Sequence, residues 1–125
     1  MSAGSTARKT ILVCEDDENL RHLIEVMLGD RFRVAEAADG DEALAQIDVL
    51  DPDLILLDLM LPGRSGFEIL DRVTRGRSAD RPRVVVLSAW SHFDERALAA
   101  GADCFLPKPF EAEQLETVVN ELLDA

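Results

Sequence analysis

Four apolar segments of this sequence each end in residues that can handle a phosphoryl group. In chain order these residues are the acidic run Glu15-Asp16-Asp17, then Asp58, Ser88 and Lys108. If the segments are parallel strands of an open α/β sheet, their carboxyl ends lie along one edge, where such folds bind ligands. The carboxylates, the hydroxyl and the ammonium group would then share one pocket.

The acidic residues predict a bound cation. Glu15, Asp16 and Asp58 would bring three negative charges close together, and two unit charges about 4 Å apart repel by about 4 kcal/mol at an effective dielectric near 20. Oxygen ligands favour a hard metal ion. A site with few carboxylates and room for water suits Mg²⁺ better than Ca²⁺.

Asp58 is the best candidate for a nucleophile in this set. It follows a continuously apolar strand and enters a loop, residues 59–63, that we expect to leave its carboxylate accessible. A carboxylate can attack phosphorus and form an acyl phosphate. The negative charge on the transferred group would be balanced by the metal ion and the Lys108 ammonium, with the Ser88 hydroxyl and nearby backbone N–H groups as donors.

Each of these residues also has an ordinary structural explanation. Asp16 or Asp17 could cap a helix, Asp58 could be a loop carboxylate, Ser88 a turn residue and Lys108 a surface charge. Their joint placement at four strand ends, with complementary charges, favours a single functional site.

Apolar strands alternate with amphipathic helices along the chain. Strands are predicted at 11–14, 33–37, 54–57, 84–87 and 105–107, and helical spacing of apolar residues places a helix after each strand. The first helix is predicted to bury Leu20, Leu23, Ile24 and Met27 and to end near Gly29. A shorter helix at 96–100 is predicted to stop at Gly101, both glycines acting as left-handed helix ends. The five βα units predict an α/β fold of three layers around a parallel sheet.

Composition indicates one domain that avoids polyanions. The 125 residues carry 13 basic and 25 acidic side chains, a net charge of −12, and 47% are hydrophobic. This charge repels nucleic acids and anionic membranes, so direct binding to either is not expected. The two cysteines lack metal-ligand spacing and are typical of small core residues in a reducing compartment, which disfavours a disulfide without excluding one.

The sequence also indicates where the protein resides in the cell and where its folded domain begins. No apolar run is long enough to span a bilayer, and the N-terminus lacks a signal-peptide core, so we expect a cytoplasmic protein. Residues 1–8 are small and polar and are predicted to be a flexible lead-in to a domain at 9–125.

Residues 9–124 resemble the receiver domain of response regulators in two-component signalling. The segments that carry the resemblance are ILVCEDDENLR at 11–21, LILLDLMLPGRSG at 54–66, VVVLSAW at 84–90 and GADCFLPKPF at 101–110. The resemblance implies a flavodoxin-like, doubly wound (βα)5 fold with strand order 2-1-3-4-5. It departs from the common pattern at two positions, where Glu15 replaces Asp and Ser88 stands where Thr is frequent.

The resemblance also implies roles for individual residues. Asp58 would be the phospho-acceptor, with Glu15, Asp16, Asp58 and the Met60 backbone carbonyl as the Mg²⁺ ligands. Ser88 and Phe105 would be the switch residues, Lys108 would contact the phosphoryl group, and Pro109 would follow a cis peptide bond. Independently of the resemblance, Met60 and Trp90 each lie two residues beyond a site residue. Their side chains either obstruct the water that attacks the phosphorylated residue or are merely packed or exposed.

The implied function is a signalling switch rather than an enzyme in the ordinary sense, although the domain assists its own phosphorylation and dephosphorylation. A sensor histidine kinase or phosphotransfer protein would donate the phosphoryl group to Asp58. Ser88 would then move toward the phosphate and Phe105 inward, altering the face built from the fourth helix, the last strand and the fifth helix. That face would bind a downstream output protein or fused effector, or form a homodimer.

Two other functional classes fit the sequence less well. An aspartate-nucleophile phosphatase typically carries a second carboxylate two residues after the nucleophile, where this chain has Met60, and no cap domain fits within its length. A receiver-like domain that binds partners without phosphorylation would not need the complete set of site residues.

Overall fold

The computed structural model describes residues 8–75 and 81–124 of the chain. Residues 1–7 of the predicted lead-in lie outside the described residues. The elements alternate in the predicted order: β1 (Thr10–Cys14), α1 (Glu18–Leu28), β2 (Arg33–Ala37), α2 (Gly40–Leu50), β3 (Leu54–Asp58), α3 (Gly66–Thr74), β4 (Arg83–Ser88), α4 (Asp94–Ala99), β5 (Cys104–Pro107) and α5 (Ala112–Asp124). A 3₁₀ turn, Ser91–Phe93, precedes α4.

The five strands form one parallel sheet in the order β2-β1-β3-β4-β5, which confirms the predicted flavodoxin-like arrangement. The chain leaves β1 toward one edge and returns beyond β1 to build the other, so the topological switch point lies between β1 and β3. Cys14 pairs with Leu57 across these two strands. Glu15, which directly follows β1, and Asp58, the last residue of β3, are therefore brought to the same level at the carboxyl edge.

The strand side chains contribute to two hydrophobic cores, one on each face of the sheet. Successive strand side chains point to opposite faces, so neighbouring apolar residues serve different cores. One core packs β-strand residues against α1 and α5 through Ile24, Leu28, Leu115 and Val119. The other packs against α2, α3 and α4. These are the three layers that the βα order predicted.

The buried face of α1 differs from the predicted one. Ile24 and Leu28 are fully buried, but Leu23 is 52% exposed, so its predicted place in the core is wrong. The helix buries a stripe at intervals of four residues, 20, 24 and 28, and position 23 is turned about 100° away from Ile24.

Glycines at two helix ends act for different reasons. Gly101 has φ +112°, and it follows α4 in the left-handed region as predicted, although α4 begins two residues earlier than expected. Gly29 follows α1 at the predicted place, but its φ is −65°. The left-handed explanation is therefore wrong for Gly29, where a Cβ atom would lie 2.7 Å from the Glu25 carbonyl oxygen and only glycine has room.

The described helices are short. The longest, α5, has 13 residues, whereas a membrane-spanning helix needs about 20 apolar residues. Within residues 8–75 and 81–124, none of the helices has the length and apolar character required to cross a bilayer.

Candidate functional site

The carboxyl ends of β1 and β3 bring together the three acidic residues singled out in the sequence. Carboxylate oxygens of Glu15, Asp16 and Asp58 all lie within 4.8 Å of one another. Glu15 and Asp58 are buried, at 1% and 4% exposure, and Asp16 is exposed. The group therefore opens to solvent through Asp16.

Lys108 reaches the same point from the end of β5. Its Nζ atom lies 2.6 Å from Glu15 Oε1 and 3.1 Å from Asp58 Oδ2. The Lys108 N–H donates to the Ser88 carbonyl oxygen at 2.8 Å, which ties the lysine backbone to the end of β4. The Lys108–Pro109 peptide bond is cis, the conformation that the sequence resemblance implied.

The Asp58 carboxylate is less accessible than expected. Its Oδ2 faces Lys108, while its Oδ1 accepts a hydrogen bond from the Met60 N–H at 2.9 Å. The side chain is only 6% exposed, with the Met60 N–H against one carboxylate oxygen and the Lys108 ammonium against the other. Both oxygens are thus oriented, one by a backbone donor and one by a cation.

The three acidic residues that follow β1 have different structural roles. Glu15 Oε2 accepts the Asp17 N–H at 3.1 Å. The Asp17 side chain caps α1 by accepting from Asn19 N–H at 2.9 Å and Leu20 N–H at 3.2 Å. The helix-cap explanation therefore holds for Asp17, which leaves Glu15 and Asp16 to face the site.

Ser88 lies at the last position of β4 and is fully buried. Its hydroxyl oxygen accepts the Trp90 N–H at 2.9 Å. Phe105, on β5, is half-buried and packs against the core beneath α4. Met60 and Trp90 are 56% and 50% exposed. Their backbone N–H groups donate to Asp58 Oδ1 and Ser88 Oγ, respectively.

Folding affects the charged forms of Glu15 and Lys108 differently, as the pKa values of the two groups show. Burial raises the pKa of the Glu15 carboxyl, although hydrogen bonds from Lys108 and the Asp17 N–H oppose the rise. Burial lowers the pKa of Lys108, but the hydrogen bond to Glu15 and the charge of Asp58 outweigh it and raise that pKa overall. The two groups differ in their neighbours: Lys108 faces two carboxylates, whereas Glu15 faces one cation and also the like charge of Asp58, which raises the Glu15 pKa further. Lys108 is held as a cation while charge on Glu15 is disfavoured.

Arg21, on α1, supports the site, a role that was not predicted from the sequence. Its Nη1 donates to the Glu15 carbonyl oxygen at 2.7 Å, and its Nε donates to Glu36 Oε1 at 2.7 Å. The guanidinium thus joins the backbone of the acidic residue to β2. The signal available in the sequence was Glu36, a charged residue inside a strand that requires a partner.

Gly66, at the start of α3, has a structural role at the site that was not predicted from the sequence. A Cβ atom there would lie 2.5 Å from Leu59 Cα and 2.9 Å from the Asp58 carbonyl oxygen, and the Gly66 N–H donates to the Leu59 carbonyl at 3.1 Å. Helix α3 therefore packs directly on the backbone that carries Asp58.

The donor set is consistent with a hard divalent cation. All three clustered side chains offer carboxylate oxygens, the ligand type that Mg²⁺ prefers. The exposed position of Asp16 leaves a side open to water, as a partly hydrated Mg²⁺ requires.

Comparison with known proteins places this geometry in a family context. Residues 11–120 match the family described as response regulator receiver domain. The two-component response regulator PhoP of Pseudomonas aeruginosa is 38% identical over 116 residues, covering 90% of this chain and 51% of that protein. The chain spans about half the length of the curated relatives it matches.

Solved structures show the same fold. The response regulator TrrA of Thermotoga maritima, in complex with Mg²⁺ and a beryllium fluoride, is 31% identical with a TM-score of 0.82, over 92% of this chain and 99% of that one. The chemotaxis response regulator CheY4 of Vibrio cholerae is 28% identical with a TM-score of 0.84, over 94% and 100%.

Proposed function

The chain belongs to the response regulator receiver domain family of two-component signal transduction, and from this membership we propose that Asp58 accepts a phosphoryl group from a sensor histidine kinase or phosphotransfer protein. A receiver domain is a signalling module rather than an enzyme in the ordinary sense. In this proposal its own residues nevertheless assist both the gain and the loss of the phosphoryl group.

The observation that carries the proposal is the placement of Lys108. Its ammonium lies 3.1 Å from Asp58 Oδ2, and the Met60 N–H holds the other carboxylate oxygen. A carboxylate oxygen would attack phosphorus while the bond from phosphorus to the donor's histidine nitrogen breaks and its electron pair returns to that nitrogen. Lys108 would balance charge on the transferred group, and hydrolysis by water would later release inorganic phosphate and restore Asp58.

We propose Mg²⁺ as the cofactor, held by Glu15, Asp16 and Asp58 with the Met60 backbone carbonyl. The clustered carboxylates support this assignment. When bound, the ion would offset negative charge on the phosphoryl oxygens. Because Lys108 now pairs with Glu15 Oε1 at 2.6 Å, the lysine and the ion share the same acidic surroundings.

The signal would leave the site through Ser88 and Phe105. Ser88 Oγ now accepts the Trp90 N–H, so a move of the hydroxyl toward a phosphate would release the loop before α4. Phe105 pairs with Val86 across the strands and is half-buried. Its inward movement would shift the α4–β5–α5 face between two packings, altering the binding of an output protein or effector, or dimerisation.

Family membership also supports a cytoplasmic location. The net charge of −12 supports the proposal that the domain itself binds neither nucleic acid nor an anionic membrane surface. Any contact with DNA would then belong to a separate or attached effector.

Acetyl phosphate with Mg²⁺ tests the assignment of Asp58. We expect intact-mass spectrometry to find one acid-stable, base-labile phosphoryl group on the wild type, none on Asp58→Asn, and the wild-type level on Asp41→Asn. Asp41 is a suitable control because its side chain is 72% exposed on α2. Undiminished labelling of Asp58→Asn would refute the assignment.

The same preparation separates the two alternative classes. A phosphatase would turn over p-nitrophenyl phosphate many times per molecule, whereas a receiver would carry at most one phosphoryl group per molecule and would not turn over p-nitrophenyl phosphate. A domain that acts without phosphorylation would gain none from acetyl phosphate and would not bind beryllofluoride with Mg²⁺.

A further inference from the structure

Two grooves flank Phe105 on the α4–β5–α5 face. The groove between α4 and β5 has a volume of about 430 Å³ and includes Leu98 and Phe105. The groove between β5 and α5 has a volume of about 370 Å³ and includes Phe105 and Val118. Leu98 is 48% exposed, and Phe105 and Val118 are half-buried, so both grooves have apolar floors open to solvent. We call them together the Phe105 grooves.

Carboxylates line the rims of the Phe105 grooves. Asp94 and Asp103 line the first groove, and Glu113 lines the second. Glu121 is exposed on α5 and lies one helical turn beyond Thr117 and Val118, which line the second groove, so its carboxylate extends the acidic rim along that helix.

The basic residues near this face already have partners within the protein. From residue 104 to the end of the sequence the single basic residue is Lys108, which pairs with Glu15 and Asp58 at the site. The guanidinium of Arg96 on α4 lies 4.4 Å from the ring centroid of Phe67, so it faces α3. Arg81 and Arg83 both pair with Asp103 at one end of the first groove.

This distribution of charge discriminates between the two occupants left open above. A two-fold dimer places the same patch of each copy against itself. Through this face it would bring the rim carboxylates of one copy against those of the other, and like charges so placed oppose association. A partner with basic residues around an apolar anchor would complement both the floor and the rim.

We propose that the Phe105 grooves dock a lysine- or arginine-bearing amphipathic segment of another protein, and not a second copy of this chain. The inference rests on the proposed function, because it names the partner of the face through which that function is expressed. The apolar side chains of the segment fill the grooves beside Phe105, and its cations meet Asp94, Glu113 and Glu121.

A synthetic amphipathic helix of leucine and lysine serves as the probe, with a matched leucine and glutamate helix as its counterpart. Fluorescence anisotropy on the resting protein is expected to show binding of the first and not of the second. The double variant E113K/E121K is expected to weaken binding by roughly tenfold, the scale of lost charge pairs at an interface. The control E25K/D30K makes the same change in net charge on and beside α1 and is expected to leave the affinity close to that of the wild type.

Circular dichroism and urea unfolding first establish that each double variant is folded. In ¹H–¹⁵N spectra of the wild type, shifts on adding the lysine peptide are expected at Leu98, Phe105 and Val118. Equal weakening by both double variants would indicate attraction to net charge alone and would overturn the proposal, as would shifts confined to other faces.

Sedimentation velocity tests the alternative that a second copy of this chain binds at the Phe105 grooves. With Mg²⁺ and beryllofluoride the wild type is expected to remain monomeric. A dimer that Phe105→Ala or Leu98→Ala abolishes would overturn the proposal. The peptide measurement on the resting protein does not involve Asp58, so a failure of phosphorylation and a failure of basic docking give separate results.

Discussion

Replacing Arg21 by alanine should weaken both the fold and the site. The Arg21 side chain is 16% exposed and makes two charged hydrogen bonds of 2.7 Å, to Glu36 and to the Glu15 carbonyl. Hydrogen bonds to charged groups contribute about 1.5–3 kcal/mol each. Glu36, at 32% exposure, can regain water, which reduces the total. We expect Arg21→Ala to lower the free energy of unfolding by about 2–3 kcal/mol.

Urea unfolding followed by Trp90 fluorescence measures this loss, since Trp90 is the single tryptophan. Arg75→Ala is the control: it also removes an ion pair, but the Arg75 side chain is 76% exposed, and exposed pairs contribute about 0–1 kcal/mol. Because Arg21 holds the backbone of Glu15, Arg21→Ala should also reduce the affinity for Mg²⁺, while Arg75→Ala should not. Equal destabilisation by the two variants, or an unchanged Mg²⁺ affinity in Arg21→Ala, would refute this role for Arg21.

Three further predictions follow from burial and close contact. Gly66→Ala should destabilise the fold by about 1–3 kcal/mol through overpacking and slow labelling by acetyl phosphate; labelling at the wild-type rate would contradict the close packing. Iodoacetamide should alkylate Cys104 before Cys14 in the native protein, because Cys14 is fully buried and burial raises the pKa of its thiol; equal rates in a peptide-level mass assay would count against this. Replacing Met60 or Trp90 by serine should speed loss of the phosphoryl group if these side chains obstruct water, and unchanged lifetimes would show that they do not.

The sheet was predictable because its strands are marked by composition. Segments such as Leu54-Ile55-Leu56-Leu57 are apolar without alternation, which is typical of parallel strands buried on both faces. The burial of single residues on α1 was harder to predict. Leu23 and Ile24 are both apolar neighbours, and only packing against the sheet decides that Ile24 is buried and Leu23 exposed.

Residue types at strand ends indicated the site, but its internal contacts depend on distant parts of the chain. Placing Glu15, Asp58 and Lys108 in one pocket required only the rule for carboxyl ends of parallel strands. Arg21 acts through a backbone carbonyl and Gly66 through the absence of a side chain. The types of these two residues do not reveal either action: Glu36 indicated that a cation was needed near β2 but not that Arg21 supplies it, and the close approach at Gly66 depends on how α3 packs on β3.

Glu15 shows how the site sets its own pH dependence. Folding buries the Glu15 carboxyl and raises its pKa above the ordinary value of 4.5. The native state therefore binds this proton more tightly than the unfolded state, so the stability due to Glu15 is present at low pH and is lost as pH rises through the raised native pKa. Glu15→Gln keeps the side-chain length and an acceptor for the Asp17 N–H but cannot titrate.

The difference in unfolding free energy between wild type and Glu15→Gln isolates this effect, because other carboxyl groups are common to both proteins. Urea unfolding in EDTA at a series of pH values upward from 4.5 should show the wild type losing stability relative to Glu15→Gln as the pH rises. Lys108 stays protonated throughout this range, since its pKa is raised from 10.5. A wild type that instead gains stability relative to the variant would mean that the ion pair with Lys108 exceeds the cost of burying Glu15, and that the carboxylate is held at the site by net attraction.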